Sequence, residues 1–274
     1  MNMQPSRPQL RRRTFLAAAA VAAIGRHAAA QALAAEDPWP SLAAQIFGGR
    51  KLLDGGAFVA IDAPYRAEDA ALVPVGLHNL LADDDTRHIR SITLVIDQNP
   101  SPLAAVFSPG QTSFMRSLST RVRVDDYTNV HAVAELSDDQ LYASSRFVKA
   151  AGGCSAPAAK VASDSIPLGT MRFREFPPAT GANLREAQLL IRHPNYSGMQ
   201  MDQLTRLYVP AYFVKSVRIW QGDDLLLTIQ GGISISENPE FRFDYRPNGT
   251  SGFRTEVDDS EGKSFSQNWP AAHA

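Results

Sequence analysis

The stretch 129-NVHAVAEL-136 decides the fold class, because apolar side chains recur at every second position. The apolar positions share one face: Val130, Ala132, Ala134 and Leu136. His131 and Glu135 face the other way. A period of two is typical of a strand that buries one face in an antiparallel sheet.

The same alternation recurs on both sides of this stretch. Further strands are predicted at 92-ITLVID-97, 121-RVRV-124, 141-LYASSRFVK-149 and 241-FRFDY-245. Hairpins are predicted where 221-QGDD-224 joins 212-YFVKSVRIW-220 to 225-LLLTIQ-230, and where 258-DDSEG-262 joins 253-FRTEV-257 to the segment around Phe265. One helix is predicted at 39-WPSLAAQIF-47, with Pro40 in its first turn. Turns every ~8–12 residues predict an all-β protein of two small β-sandwich domains.

The first 34 residues have the composition of an export leader rather than of a folded domain. A basic start leads into the short apolar run of 11-RRRTFLAAAAVAAIG-25, which is too short for a membrane span. Arg12 and Arg13, followed by 14-TFL-16, match a twin-arginine leader, with an ordinary secretory leader as the alternative. Cleavage after Ala34 is predicted from 32-ALA-34, and the mature protein is then expected in the periplasm.

The charge of the mature chain argues against nucleic acid as a partner. The whole chain has 27 basic and 28 acidic residues, and the leader carries five arginines and no acid. The remaining chain is mildly acidic, whereas nucleic-acid-binding proteins favour basic patches. No phosphate-binding glycine loop and no metal-binding histidine spacing occurs, so we predict no cofactor and no metal site.

Cys154 is the only cysteine, and it lies in 149-KAAGGCSAPAAK-160. A single thiol in an exported chain indicates an intermolecular disulfide or a working sulfur. A buried cysteine that acts as a small hydrophobe is the third reading. Gly152 and Gly153 favour a flexible hinge with an exposed thiol of ordinary pKa, near 8.5. No catalytic base surrounds the thiol, so we predict a covalent attachment point on a carrier and no enzyme.

Several motifs together resemble a known family. The run 88-HIRSITLVIDQNPSPLAAVFSP-109 and the Gly-Gly-Cys end of 147-FVKAAGGCSA-156 are similar to the SoxY proteins of bacterial sulfur oxidation. The segment 192-RHPNYSGMQMD-202 and the stretch from Val209 to Phe243 resemble SoxZ. The chain therefore resembles a SoxYZ-like carrier in which both halves are fused, of the kind associated with quinoprotein dehydrogenases.

The resemblance implies a division into four parts. These are a leader at 1–34, a SoxY-like domain at 35–149, a flexible cysteine-bearing linker at 150–166 and a SoxZ-like domain at 167–274. Both domains are expected to be immunoglobulin-like β-sandwiches.

The resemblance also implies a function. Cys154 would carry sulfur intermediates, as in thiosulfate oxidation, to periplasmic redox or sulfur-processing enzymes, with a c-type cytochrome or a quinoprotein (PQQ) dehydrogenase among the candidates. The alternatives are an accessory protein of such a dehydrogenase, in which the thiol is secondary, and a disulfide-linked dimer through Cys154.

One departure from the family concerns the end of the carrier arm. In SoxY the arm ends the chain as Gly-Gly-Cys-Gly-Gly, whereas here Ser155 and Ala156 follow the cysteine and the chain continues. The thiol is therefore tied at both ends, unless the linker is cut.

Overall fold

The structure is a computed structural model that describes residues 37–111, 113, 115–157, 166–177, 183–250 and 252–270. The predicted leader at 1–34, and residues 158–165 of the predicted linker, lie outside the described residues. From Pro38 onward the chain forms one compact unit.

Strands dominate the described residues, and they are preceded by a single helix, α1, at Trp39–Phe47. The strands of the first half are β1 Leu52–Asp54, β2 Val59–Asp62, β3 Val73–Asn79, β4 Ile89–Ile96, β5 Leu103–Pro109, β6 Ser117–Val122, β7 Thr128–Leu136 and β8 Leu141–Val148. Those of the second half are β9 Met171–Phe176, β10 Arg185–Ile191, β11 Val214–Gln221, β12 Asp224–Gly231, β13 Glu240–Tyr245, β14 Phe253–Asp259 and β15 Ser264–Trp269. The predicted all-β class is confirmed.

Two sheets enclose one apolar core. The larger has the order β1-β8-β7-β4-β5-β12-β11-β14-β15, and the smaller has the order β2-β3-β6-β13-β10-β9. The pairs are antiparallel except for β1 with β8. The buried core includes large side chains from both halves, such as Phe107, Phe241 and Tyr245.

Each sheet runs continuously from the first half of the chain into the second. In the larger sheet β5 pairs with β12, where Phe107 lies opposite Ile229. In the smaller sheet β6 pairs with β13, where Leu118 lies opposite Phe243. The two halves thus join edge to edge, which satisfies backbone groups that would otherwise be exposed at strand edges. The predicted domain boundaries stay a prediction.

The predicted helix and both predicted hairpins are present. β11 and β12 are joined by the two residues Gly222 and Asp223, and Gly222 adopts the positive φ of 57° that such a tight turn favours. β14 and β15 form the last hairpin, with Val257 opposite Phe265.

The outward face of β7 differs from the expectation of a half-buried strand. His131 is buried because the ring of Trp39 in α1 stacks on it, with 3.6 Å between the ring centroids and 4° between the planes. The His131 Nε2 atom lies 3.0 Å from Asp97 Oδ2. A helix from before the first strand therefore covers a face that the strand pattern alone assigns to solvent.

Candidate functional site

Cys154 lies in a turn that follows β8 and it is fully buried, with 0% of its surface exposed. The expectation of an exposed thiol is wrong for this conformation. We call residues 150–157 the carrier segment and this buried arrangement the retracted position.

Backbone hydrogen bonds hold the carrier segment against the chain that follows β6. The Gly152 N–H donates to the carbonyl of Asp125 at 2.8 Å, and the Gly153 N–H donates to that of Val124 at 2.9 Å. The Cys154 N–H donates to the Asp125 carboxylate at 3.4 Å. Three successive N–H groups therefore have partners, which is what a buried backbone requires.

The two glycines serve different purposes in the retracted position. A Cβ atom on Gly153 would lie 2.0 Å from the carbonyl oxygen of Ala70 and 2.6 Å from that of Val124, so only glycine fits there. Gly152 has a φ of +76°, in the left-handed region, but a Cβ atom there would meet nothing closer than 3.9 Å. Gly153 is thus required for close approach, and the predicted hinge at Gly152 and Gly153 stays a prediction.

The second half of the chain closes over the cysteine. The Ser197 hydroxyl donates to the Cys154 carbonyl at 2.5 Å, and both residues are buried. Gln200 fixes Ser197 in turn, because its Oε1 atom accepts the Ser197 N–H at 2.9 Å. The segment 193-HPNYSG-198, which by itself predicts only a turn, therefore forms one wall of the site.

A buried polar cluster holds this wall in place. The Asn195 side chain is fully buried, donates to the Ile235 carbonyl at 2.9 Å and accepts the Val214 N–H at 2.9 Å. His193, also fully buried, accepts the Asn195 N–H on Nδ1 at 3.1 Å. Asp259 lies 3.8 Å from His193 Nε2, which is too long for a hydrogen bond.

The electrostatics of the site keep the thiol protonated. Burial, and to a smaller extent the negative charge of Asp125, together raise the pKa of Cys154 to about 12 against the opposing positive charge of Arg123. Since the thiolate is the nucleophile, Cys154 is unreactive in the retracted position. Burial likewise lowers the pKa of His193 and outweighs the charge of Asp259, so His193 is neutral at pH 7.

The described residues contain no group of three His, Cys, Asp or Glu side chains that could hold a metal ion. No helix among them has the length and apolar character needed to cross a membrane.

Two protein families match different parts of the chain, and each part contributes residues to the cysteine site. Residues 43–154 match the family "Sulfur oxidation protein SoxY", and residues 175–270 match "Sulphur oxidation protein SoxZ". The chain belongs to the SoxY and SoxZ families, joined in one polypeptide. The SoxY match ends at Cys154, and the SoxZ match contains Ser197 and His193.

Solved structures with similarity to the chain include the sulfur carrier protein SoxY from Chlorobium limicola f thiosulfatophilum. That protein is 26% identical, and the match covers 41% of this chain and 91% of that one with a TM-score of 0.34. Two variants of the superoxide reductase (neelaredoxin) from Ignicoccus hospitalis are each 15% identical with TM-scores of 0.29, and the matches cover 35% and 40% of this chain and 82% and 90% of theirs. No curated protein matches the sequence significantly.

In this SoxY–SoxZ fusion the cysteine site is shared between the two family regions. The SoxY region supplies Cys154, Arg123 and Asp125, and the SoxZ region supplies Ser197 and Gln200. Sequence reasoning found Cys154 and its glycines. It missed Arg123, because alternation in 121-RVRV-124 predicts solvent-facing arginines, and it missed Ser197, because contacts between distant segments leave no local pattern.

Proposed function

We propose that the protein is a periplasmic carrier that holds sulfur intermediates covalently on Cys154 and presents them to partner enzymes. The observation that carries the proposal is the position of the only thiol. It stands at the end of the SoxY region and is covered by the SoxZ region. A carrier needs such a place, because a thiol that is hidden between visits is protected from side reactions.

Loading then requires the carrier segment to leave the retracted position. A reagent or partner enzyme cannot reach a fully enclosed thiol, and with a pKa of about 12 this thiol is also a poor nucleophile at neutral pH. In the released segment, the pKa returns to the ordinary value of about 8.5. Retraction and release would thus switch the reactivity of Cys154, and the chain would need no catalytic machinery of its own.

The released segment would enter partner enzymes as a loop. Twelve residues separate Cys154 from Pro167, and they span about 40 Å when fully extended, at ~3.3 Å each. A loop enters a pocket as two chain segments side by side, so partner sites would be wider or shallower than those for a free arm. Cutting between Cys154 and Pro167 would instead produce a free arm.

Other roles for the thiol make different predictions. An accessory protein of a quinoprotein dehydrogenase, in which the thiol is secondary, would work equally well as Cys154→Ala. A disulfide-linked dimer would also need the segment released, because the enclosed sulfur cannot meet a second chain. That dimer would dissociate in reductant.

The proposal is tested by intact-mass analysis of the protein from the periplasm of its native host, with Cys154→Ala as the control. We expect sulfur-containing adducts on the wild-type protein and none on the variant, and loss of sulfur oxidation with the variant. A variant that sustains full sulfur oxidation would overturn the proposal. The same spectra give the position of leader cleavage and show whether the linker is intact.

A further inference from the structure

Arg123 is a buried arginine whose hydrogen-bonding capacity is largely unused. It is 1% exposed. One terminal nitrogen donates to the carbonyl of Gly153 at 3.2 Å, immediately before the cysteine. The Nε atom and the other terminal nitrogen, NH2, have no hydrogen-bond partner among the described residues.

Such an arrangement is costly for a protein of purely structural design. Burying a guanidinium without pairing its donors is strongly unfavourable in general. The charges of Glu237 and Asp69 act on Arg123 through space, but among the described residues no carboxylate accepts a hydrogen bond from its Nε or NH2 atom. Two unused donors beside the carrier segment therefore indicate an acceptor that binds there.

The chemistry of the donors indicates which acceptor that is. The planar guanidinium fork presents paired N–H groups that suit two oxygens of one oxoanion. Asp125 is also close to Cys154 and would repel an anion, so a negatively charged group must lie on the Arg123 side of the cysteine. The Arg123 donors thus favour a group that is both anionic and rich in oxygen, whereas Asp125 opposes a negative charge on its own side of the cysteine.

We propose that Arg123 binds the charged end of a sulfur oxoanion carried on Cys154, a thiosulfonate or sulfonate, when the loaded segment returns to the retracted position. This inference rests on the proposed carrier function and assigns Arg123 as the residue that binds the carried group. Ser155 and Pro157 lie at the surface, so this side of the segment can shift outward to make room for a side chain longer than the bare thiol. A neutral adduct would leave the Arg123 donors unused.

The test compares an anionic with a neutral adduct on the full chain. Tetrathionate loads the anion: the Cys154 thiolate attacks a central sulfur, the S–S bond breaks, thiosulfate leaves with the electron pair, and Cys–S–S–SO₃⁻ remains. Methyl methanethiosulfonate loads the neutral group: the thiolate attacks the thiomethyl sulfur, methanesulfinate leaves, and Cys–S–S–CH₃ remains. Intact mass confirms each product.

The measurement is the rate at which dithiothreitol removes each adduct, divided by the rate for the same adduct in the guanidinium-unfolded protein. In wild type we expect the thiosulfonate to be protected at least about tenfold more than the methylthio group. Arg123→Gln should abolish this difference and Arg123→Lys should keep part of it. Arg121→Gln is the matched control, because Arg121 pairs with Glu240 instead.

Equal protection of the two adducts in wild type would overturn the inference, and this comparison needs no variant to fold. Unchanged thiosulfonate protection in a folded Arg123→Gln protein would also overturn it. Failure of this inference and failure of the carrier proposal give different results. A native protein without adducts refutes the carrier but not the affinity of Arg123 for the anion, and equal protection refutes only the anion site.

Discussion

The reactivity of Cys154 towards an alkylating reagent measures the retracted position directly. A pKa of about 12, against an ordinary value of about 8.5, lowers the thiolate fraction at pH 7.5 by roughly 10³-fold. We therefore expect iodoacetamide to modify the folded protein roughly 10³-fold more slowly than the guanidinium-unfolded chain, as followed by intact mass. Any reaction faster than this passes through release of the carrier segment, and its rate then follows the fraction of released segment.

Ser197→Ala should make release easier, because it removes the hydrogen bond between the SoxZ region and the Cys154 carbonyl. One neutral hydrogen bond contributes about 1 kcal/mol net, so the alkylation rate should rise about fivefold. Ser144→Ala is a matched control, since the Ser144 hydroxyl donates to the Val59 carbonyl at 2.6 Å, outside the carrier segment. It should leave the rate unchanged.

Two results would refute this reasoning. If the folded wild-type protein reacts within about threefold of the unfolded chain, the retracted position is not the resting state. If Ser197→Ala and Ser144→Ala react alike, Ser197 does not restrain the segment. Circular dichroism of each variant shows that the comparison concerns folded protein.

Three further predictions follow from the site. Gly153→Ala should prevent retraction and bring the alkylation rate close to that of the free thiol, because the new Cβ atom would overlap the Ala70 carbonyl. Gly152→Ala should raise the alkylation rate far less, because its only cost is backbone strain of about 1 kcal/mol. Similar rates for the two variants would contradict the packing argument. Because the pKa of buried His193 is lowered, the unfolded chain takes up a proton below pH 7 that the folded chain does not. His193 should therefore lower the free energy of unfolding between pH 7 and 5 by at most about 1.4 kcal/mol per pH unit. In His193→Gln this pH dependence should be weaker. Chemical denaturation at each pH checks this, and equal slopes would refute it. Cys154→Ser should lower the free energy of unfolding by about 1–3 kcal/mol by burying an unpaired hydroxyl, and a neutral effect in urea denaturation would contradict the burial.

Local patterns predicted the local structure well. Alternation and turn residues were enough for β4, β7, β8, β13 and the two hairpins, because those features depend on neighbours in sequence. The predicted strand at 121-RVRV-124 overlaps only the end of β6, which runs over Ser117–Val122. The helix at Trp39–Phe47 was equally readable, but its packing on His131 was not. The pairing of β5 with β12 was also invisible, because it joins residues more than a hundred positions apart.

The sequence was enough to predict which residue forms the candidate site, but not that its thiol is buried. One cysteine beside two glycines, in a chain with a predicted export leader, points to a working thiol, and the family motifs indicate its role. The same lack of apolar neighbours suggested exposure, whereas the structure buries Cys154 under Ser197 and beside Arg123. Gly153 contributes to this burial because the absence of a side chain permits close packing as well as flexibility.

The most direct test of the central claim is the intact mass of the protein isolated from its native host under sulfur-oxidising conditions. The account predicts a population with sulfur-containing adducts on Cys154 that reductant removes, and no such adducts on Cys154→Ala. A wild-type protein whose only form carries an unmodified thiol, in cells that are actively oxidising sulfur, would contradict it.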